Sequence, residues 1–463
     1  NVTVDLSKVT TAADAAKIQG KNTYTLMRGE NNKLKFSDYA ARYAVHGGVY
    51  ETGLRTDATA NSGTVTATNV LYDINRFKDG RVTYTSASTG EALGGYSAFG
   101  HTTEGNKLMV EGVTGSLVAA YGGQTAGASG NSVNNKVILA GTGTGSVTNV
   151  YGGAVTNAAN GGNVTGNTVT ITGGKVTGSI YGGYTAGSGK TTGNAVNIGD
   201  GSAATLAAGT NLDNAVLYGG NKADASGNTL NVMVKDAKAQ KGQNFENYTF
   251  HLTDHIAADK PKSGTIDDTF TRNTGTMLTL ANGFDGQTAD WNNVTVDTSK
   301  LSADKTLGAI TLMKSTTANK LKFSNYAAKN HAVSGDYEVV QRTDTNTGEA
   351  NAVLIDVNRF KNGDVTYDGV NPNAKTYAGV SYGGNTAEKN IMTLTGIASG
   401  NTVDYLSGGR SEGTAGGAVN NTVNLVGTGA GTLKSVYGGY IGKATNAADA
   451  TGNTVNIAGG TAQ

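Results

Sequence analysis

Residues 166–198 read GNTVTITGGKVTGSIYGGYTAGSGKTTGNAVNI. The stretch opens and closes on the same phrase, Gly-Asn followed by four alternating residues. Val169 and Ile171 point one way and Thr168 and Thr170 the other, and the pattern returns at Val196, Asn197 and Ile198. Alternation of this kind is the mark of a half-buried strand. Between the two strands stands Tyr181-Gly182-Gly183, then a polar loop. A strand that recurs at a fixed spacing of this size points to a solenoid or a propeller.

The phrase has siblings along the chain. Tyr-Gly-Gly occurs at Tyr121-Gly122-Gly123, Tyr151-Gly152-Gly153, Tyr218-Gly219-Gly220, Tyr382-Gly383-Gly384 and Tyr437-Gly438-Gly439, with many copies about 30 residues apart. The downstream strand recurs with Leu230 and Val232, with Val423 and Leu425, and with Val455 and Ile457 on its apolar side. Thr168, Thr170, Asn197, Asn231 and Asn456 take the other side. Stacked coils would join the apolar residues into a narrow core and the Thr and Asn residues into outward ladders. The Gly pairs would supply positive φ and close approach at corners, and the tyrosines a column of rings along one edge.

A parallel β-helix explains this better than a propeller. Four strands per blade need more apolar material than about 30 glycine-rich residues hold. Loop length after Tyr-Gly-Gly also varies, which a solenoid tolerates because the loop points into solvent. The fold class expected is all-β, a right-handed parallel β-helix with coils of about 20–35 residues and charged, hairpin-rich inserts.

A longer repeat lies above the short one. NVTVDLSK at 1 matches NVTVDTSK at 293, KLKFSDYAARYAV at 33 matches KLKFSNYAAKNHAV at 320, and DINRFKDGRVTY at 73 matches DVNRFKNGDVTY at 356, an offset of about 286. Two tandem long units follow, the second incomplete. Five modules result: charged β-rich residues 1–95, Tyr-Gly-Gly coils over 96–234, a charged connecting segment over 235–292, a second charged module over 293–375, and coils over 376–463. Short helical pieces are expected at SKVTTAADAAKIQ (7–19) and FSDYAARYA (36–44). The chain starts without Met and ends in phase for another Tyr-Gly-Gly, which reads as a window on a longer array.

Composition agrees with a thin core. Of 463 residues, 69 are Gly and two, Pro261 and Pro372, are Pro; the apolar fraction is 37%. Glycine at this level without a three-residue period excludes collagen. Lys plus Arg (36) nearly balances Asp plus Glu (35), so no electrostatic footprint for nucleic acid is present. Between Gly112 and Val234 only about seven residues are charged. Zero cysteines rule out disulfides and thiolate metal sites. No run of about 18 apolar residues exists to span a bilayer as a helix.

The coils YGGY…ATGNTVNIAGG and IYGG…GNAVNIGDG resemble repeats in large autotransporter (type V secretion) adhesin and haemagglutinin-like passenger domains of Gram-negative anaerobes. The resemblance covers about 100–235 and 380–463, and the charged segment from NYTFHLTDHIAADKPKSG resembles the inserts of such passengers. It implies a right-handed parallel β-helix exported to the cell surface by a β-barrel outside this stretch.

Candidate chemistry is sparse. AGSGKTT offers Gly189, Lys190 and Thr191 to a phosphate loop, but Tyr184 stands where the first glycine belongs and a strand follows instead of a helix. The histidines are His46, His101, His251, His255 and His331. HLTDH at 251–255 has metal-like spacing only if helical, and YTFHL reads as a strand. β-Helical polysaccharide lyases and hydrolases cluster carboxylates on adjacent coils. The nearest candidates are Asp267 and Asp268, with a lone Gly100-His101 and coils nearly free of acids. No catalytic, cofactor or metal residue is therefore assigned.

The function expected is a non-catalytic cell-surface adhesin or structural passenger domain, extracellular, presenting a repetitive surface to a host or bacterial protein or glycan. The alternative is a subunit or stalk of a self-assembling extracellular fibre, associating laterally or head-to-tail. A polysaccharide lyase or hydrolase comes third. Neither nucleic acid nor membrane insertion is expected.

Overall fold

A computed structural model describes residues 2–4, 19–60, 62–85, 90–222, 225–256, 258–259, 275–300, 305–306, 310–318, 320–333, 335–367 and 374–459. The fold is 1% helical and 55% strand, with parallel stacked sheets forming a β-solenoid of about 11 turns. Two compact units are present, Asn1–Thr249 with Leu280–Thr295, and Phe250–Thr279 with Val296–Gln463.

The first unit opens with an antiparallel sheet, in the order Lys21–Arg28, Asn69–Arg76, Tyr50–Thr56, Arg42–His46. The helix expected over 36–44 is absent. Leu34–Ala40 pairs with Ser62–Ala67, and Arg42–His46 pairs with Tyr50–Thr56. Asp38 sits at φ 49°, a left-handed conformation that a right-handed helix excludes. Of the other expected helical piece, residues 7–18 lie outside the described residues.

From Arg81 onward the chain coils. Each full coil lays down three short strands, and each strand pairs in parallel with its equivalent one coil on. The first face carries Thr103–Glu104, Ser132–Val133, Val164–Thr165 and Thr191–Thr192. The second carries Arg81–Tyr84, Lys107–Val110, Lys136–Leu139, Thr168–Ile171, Ala195–Ile198 and Thr229–Val232. The third, which holds Tyr-Gly-Gly, carries Gly90–Leu93, Ser116–Thr125, Ser146–Val155, Ser179–Thr185, Val216–Gly220 and Lys241–Gln243.

Register follows the alternation in the sequence. Val137, Val169, Val196 and Leu230 form one inward row, and Leu139, Ile171, Ile198 and Val232 a second; all eight are fully buried. One coil cannot close over its own apolar residues, so every row depends on the coils above and below. On the outer side Asn231 donates to Asn197 and Asn197 to Thr170, at 2.7 and 3.2 Å.

The coils begin earlier than composition indicated. Arg81–Tyr84 and Gly90–Leu93 belong to the solenoid although they fall in the charged module 1–95, and Lys241–Gln243 extends it into 235–292. These strands lack Tyr-Gly-Gly, but backbone pairing does not require that phrase.

The second unit repeats the plan. In its sheet Thr276–Leu280 is followed by Ile310–Ser315, Ala352–Arg359, Tyr337–Thr343 and Lys329–Val333, the last four antiparallel to their neighbours among them. Its second face runs Asp364–Tyr367, Ile391–Leu394, Thr422–Leu425, Thr454–Ile457. Asp364–Tyr367 and Ala374 again place the start of the coils inside the charged module 293–375. Val423 and Leu425 are buried, whereas Val455 and Ile457 keep the expected register but are 39% and 69% exposed, because no described coil stacks beyond them.

Candidate functional site

The best-developed constellation in the coils is a buried ladder of asparagines. Asn106, Asn135, Asn167, Asn194 and Asn228 follow one another at spacings of 29, 32, 27 and 34 residues, and all are buried. Each of the first four donates both its backbone N–H and its side-chain amide to Oδ1 of the next, at 2.8–3.1 Å. The series ends where Asn228 N–H donates to Glu246. Burial raises the affinity of the Glu246 carboxyl for its proton, against the hydrogen bonds from Asn228 and its own backbone. In the second unit Asn390 donates to Asn421 and Asn421 to Asn453 in the same way.

Each ladder asparagine is the Asn of the Gly-Asn phrase or its equivalent. The residue before it makes the corner with positive φ: Gly105, Asn134, Gly166, Gly193 and Gly227 lie between 53° and 69°. The buried ladder was not anticipated, because a polar residue beside a turn reads as exposed. The signal available was the constancy of Asn at one place in successive coils from Asn106 to Asn228 and from Asn390 to Asn453.

The ladder explains the glycines of Tyr-Gly-Gly: the expected close approach is present, whereas the expected corner position and positive φ are not. Gly122, Gly123, Gly152, Gly153, Gly182, Gly183, Gly219, Gly220, Gly438 and Gly439 lie within third-face strands, not at corners, and none has positive φ. What they supply is close approach. A Cβ on Gly153 would stand closer than 3.0 Å to Asn167 Oδ1, and Gly123, Gly183 and Gly439 face Asn135, Asn194 and Asn453 likewise. The first glycine of each pair meets backbone: Gly122 faces the carbonyl of Gly152, and Gly152 that of Gly182.

The tyrosine column forms in the first unit. Tyr121, Tyr151, Tyr181 and Tyr218 stack with centroids 4.7, 5.1 and 4.7 Å apart and planes within 7° of parallel. Tyr184 stands edge-on to Tyr151 and Tyr181. Burial, reinforced by neighbouring tyrosines, raises the Tyr121 phenol and pushes the Tyr151 phenol up to about 12.

Tyr382, Gly383 and Gly384 do not belong to this column. On the third face of the second unit, the strands Ala374–Ser381, Thr402–Ser411 and Val436–Ile441 align Tyr377 with Ser407 and Ser407 with Tyr437, so Tyr382 falls past the end of the first. Gly384 has φ 88°, and the backbone N–H groups of Tyr382 and Gly383 donate to the carboxylate of Glu338. With Ser407 between them, Tyr377 and Tyr437 are not consecutive. Tyr437 packs instead on Tyr440 at 4.8 Å, and Arg410 lies over Tyr405 and Tyr440 at 4.7 and 5.4 Å.

Glu338 has a counterpart that sequence reading also missed. Glu51, fully buried, accepts from the side chains of Asn75 and Ser97 and from the backbone N–H groups of Ala98 and Phe99. Glu338, equally buried, accepts from Asn358, Ser381, Tyr382, Gly383 and Asn385. In each unit one carboxylate of the antiparallel sheet pins the loop that leads into the next coil.

Lys190 is exposed, Thr191–Thr192 pairs with Val164–Thr165, and the strand Ala195–Ile198 follows, so no helix N-terminus faces Gly189. His251 lies in the strand Asn247–Thr253 with Nδ1 2.8 Å from Asp297, and His255 is exposed in the turn beyond it. His101 stacks on Phe77 at 5.1 Å. His46 contacts Thr52 Oγ1 at 2.9 Å, and His331 lies in the strand Lys329–Val333. Asp267 and Asp268 lie outside the described residues. Among the described residues no three His, Cys, Asp or Glu side chains gather as a metal site, and no helix is long and apolar enough to cross a membrane.

No protein-family model, curated protein or solved structure matches the chain. The class defined by the fold is the parallel β-solenoid.

Proposed function

We propose that the chain is a non-catalytic surface segment of an exported bacterial protein, an adhesin or structural passenger, whose coils carry variable loops outward for attachment to a protein or glycan. One observation carries this reading. The polar groups of the Gly-Asn corners are bonded coil to coil through the ladder, while the loops after Thr125, Val155 and Thr185 differ in length and sequence. A scaffold held together by its repeats leaves those loops free to vary.

The tyrosines act as scaffold in this reading. Their faces cover one another, so a sugar ring meets phenol edges and hydroxyls, not the open aromatic face that carbohydrate stacking uses. Attachment falls to the loops.

The test is binding of the purified chain to epithelial cells, to bacterial cells and to a glycan array, compared with a variant whose loop 186–190 is replaced by that of another coil. Saturable binding altered by the swap supports adhesion. Release of reducing ends from polysaccharide, without binding to any surface, refutes it. The strand Lys21–Arg28, at a sheet edge, favours a second reading as a fibre subunit. Regular filaments of the purified chain in electron micrographs would select that reading.

A further inference from the structure

The two long units carry the same antiparallel sheet, down to one irregularity. In the first, Thr25 pairs with Leu71 and Met27 with Val70, with a bulge between. In the second, Thr311 pairs with Leu354 and Met313 with Val353, with a bulge at the same place. Tyr24, Leu26 and Met27 therefore correspond to Ile310, Leu312 and Met313.

Their surroundings differ. Ile310, Leu312 and Met313 are 3%, 0% and 0% exposed, whereas Tyr24, Leu26 and Met27 are 49%, 43% and 44% exposed. The sheet orders show why. Ile310–Ser315 is an inner strand, flanked by Ala352–Arg359 and by Thr276–Leu280. Thr311 N–H donates to the Gly275 carbonyl at 3.3 Å. Among the described residues, Lys21–Arg28 has Asn69–Arg76 on one side and no strand on the other, and it forms the edge.

We propose that the edge Lys21–Arg28 is a docking site for the connecting strand of another copy of the long unit, the segment equivalent to Thr276–Leu280. The occupant is identified by the chain itself. The same strand, in the same register with the same bulge, is covered in the second unit by TMLTL, whose Met277, Leu278 and Leu280 are all at most 1% exposed. An open edge leaves outward backbone N–H and C=O groups ready for a further strand, and exposed Leu26 and Met27 supply apolar cover. Tandem units are thereby joined by strand addition, one unit's connecting segment completing the next unit's sheet. This inference holds whether the surface serves adhesion or not.

The experiment fuses residues 235–292 ahead of Asn1 of the full chain, reproducing the order in which 276–280 precedes 310–315. Amide hydrogen exchange is then read over 21–28, with 310–315 as internal reference. Exchange of 21–28 is expected to slow by about tenfold or more toward the reference, since inner-strand amides open far less often than edge ones. Leu26→Lys with Met27→Lys should abolish that protection. Unchanged exchange over 21–28, with 310–315 still protected, overturns the proposal. If the fusion disturbs the reference, an excess of the synthetic peptide of residues 275–282 is added to the unfused chain: protection of 21–28 sustains the proposal, and none overturns it.

Discussion

Asn167 donates twice to Oδ1 of Asn194, through its backbone N–H at 3.0 Å and its side-chain amide at 3.1 Å. It accepts the same pair of bonds from Asn135 at 2.9 and 3.0 Å. Removing the side chain leaves the buried Asn135 N–H without its acceptor and takes the Asn167 amide from the Ser132 carbonyl, each at about 1–3 kcal/mol, while the Asn135 amide keeps Thr103 O and Ser132 Oγ. Asn167→Ala should therefore destabilise the first unit by about 2–5 kcal/mol, measured by urea unfolding. Asn197→Ala, on the outward ladder, should cost about 0.5 kcal/mol. Equal losses would remove the distinction between inner and outer asparagines.

Gly153 and Gly193 separate two uses of glycine. A Cβ on Gly153 would collide with Asn167 Oδ1 and Ser132 Oγ, while one on Gly193, at φ 63°, meets nothing within 4 Å. Gly193→Ala should cost only its left-handed backbone, about 1–2 kcal/mol. Gly153→Ala must displace the ladder and should cost more than about 3 kcal/mol. Thermal unfolding of the two variants orders them, and the reverse order would contradict the ladder geometry.

The tyrosine column makes the fold sensitive to alkali. The Tyr151 phenol rises from the ordinary 10.0 to about 12, with burial as the first cause and Tyr181 and Tyr184 next. In the unfolded chain the phenol ionises near its ordinary value, so this stabilisation is fully present below pH 10 and is lost as pH rises through 12. Ultraviolet titration should show a late class of tyrosines above pH 11 that shrinks in Tyr151→Phe. Titration of every tyrosine near pH 10 would rule out a packed column.

Glu338 should behave as a pin. Its carboxylate accepts from five groups, and the amide of Glu338→Gln would present donors where acceptors are needed. A loss of about 2–4 kcal/mol is expected, concentrated in faster amide exchange at Tyr382 and Gly383, whose N–H groups bond the carboxylate. Glu51→Gln should do the same at Ala98 and Phe99. Unaltered exchange at these loops would deny the carboxylates that role.

Much of this was legible in the sequence because stacking writes itself as repetition. Val169 with Ile171 and Val196 with Ile198 announce inward rows, and the Tyr121 to Tyr218 series announces a column. What stayed hidden has a common cause: polarity was read as exposure, and glycine as turn. Asn135, Asn167 and Asn194 are buried because neighbouring coils satisfy them, which no single coil shows. Gly152 and Gly153 lie in a strand because backbone and Asn167 come too close for a side chain. Tyr382 copies the phrase but lies outside the column, since register is set by Tyr377 and Gly379 pairing with Ser407 and Gly409. FSDYAARYA has apolar spacing that suits a helix, yet Asp38 at positive φ and cross-strand partners hold it extended.

Consecutive coils stack in parallel, with Asn197 beside Asn231. The chain has zero cysteines, so an introduced pair reports without background. Neighbouring parallel strands lie about 4.8 Å apart, within the Cα range a disulfide spans, and strands two coils apart lie at about twice that. Asn197→Cys with Asn231→Cys should cross-link under mild oxidation, and Thr170→Cys with Asn231→Cys, two coils apart, should not. Cross-linking of the second pair in preference to the first would contradict the account.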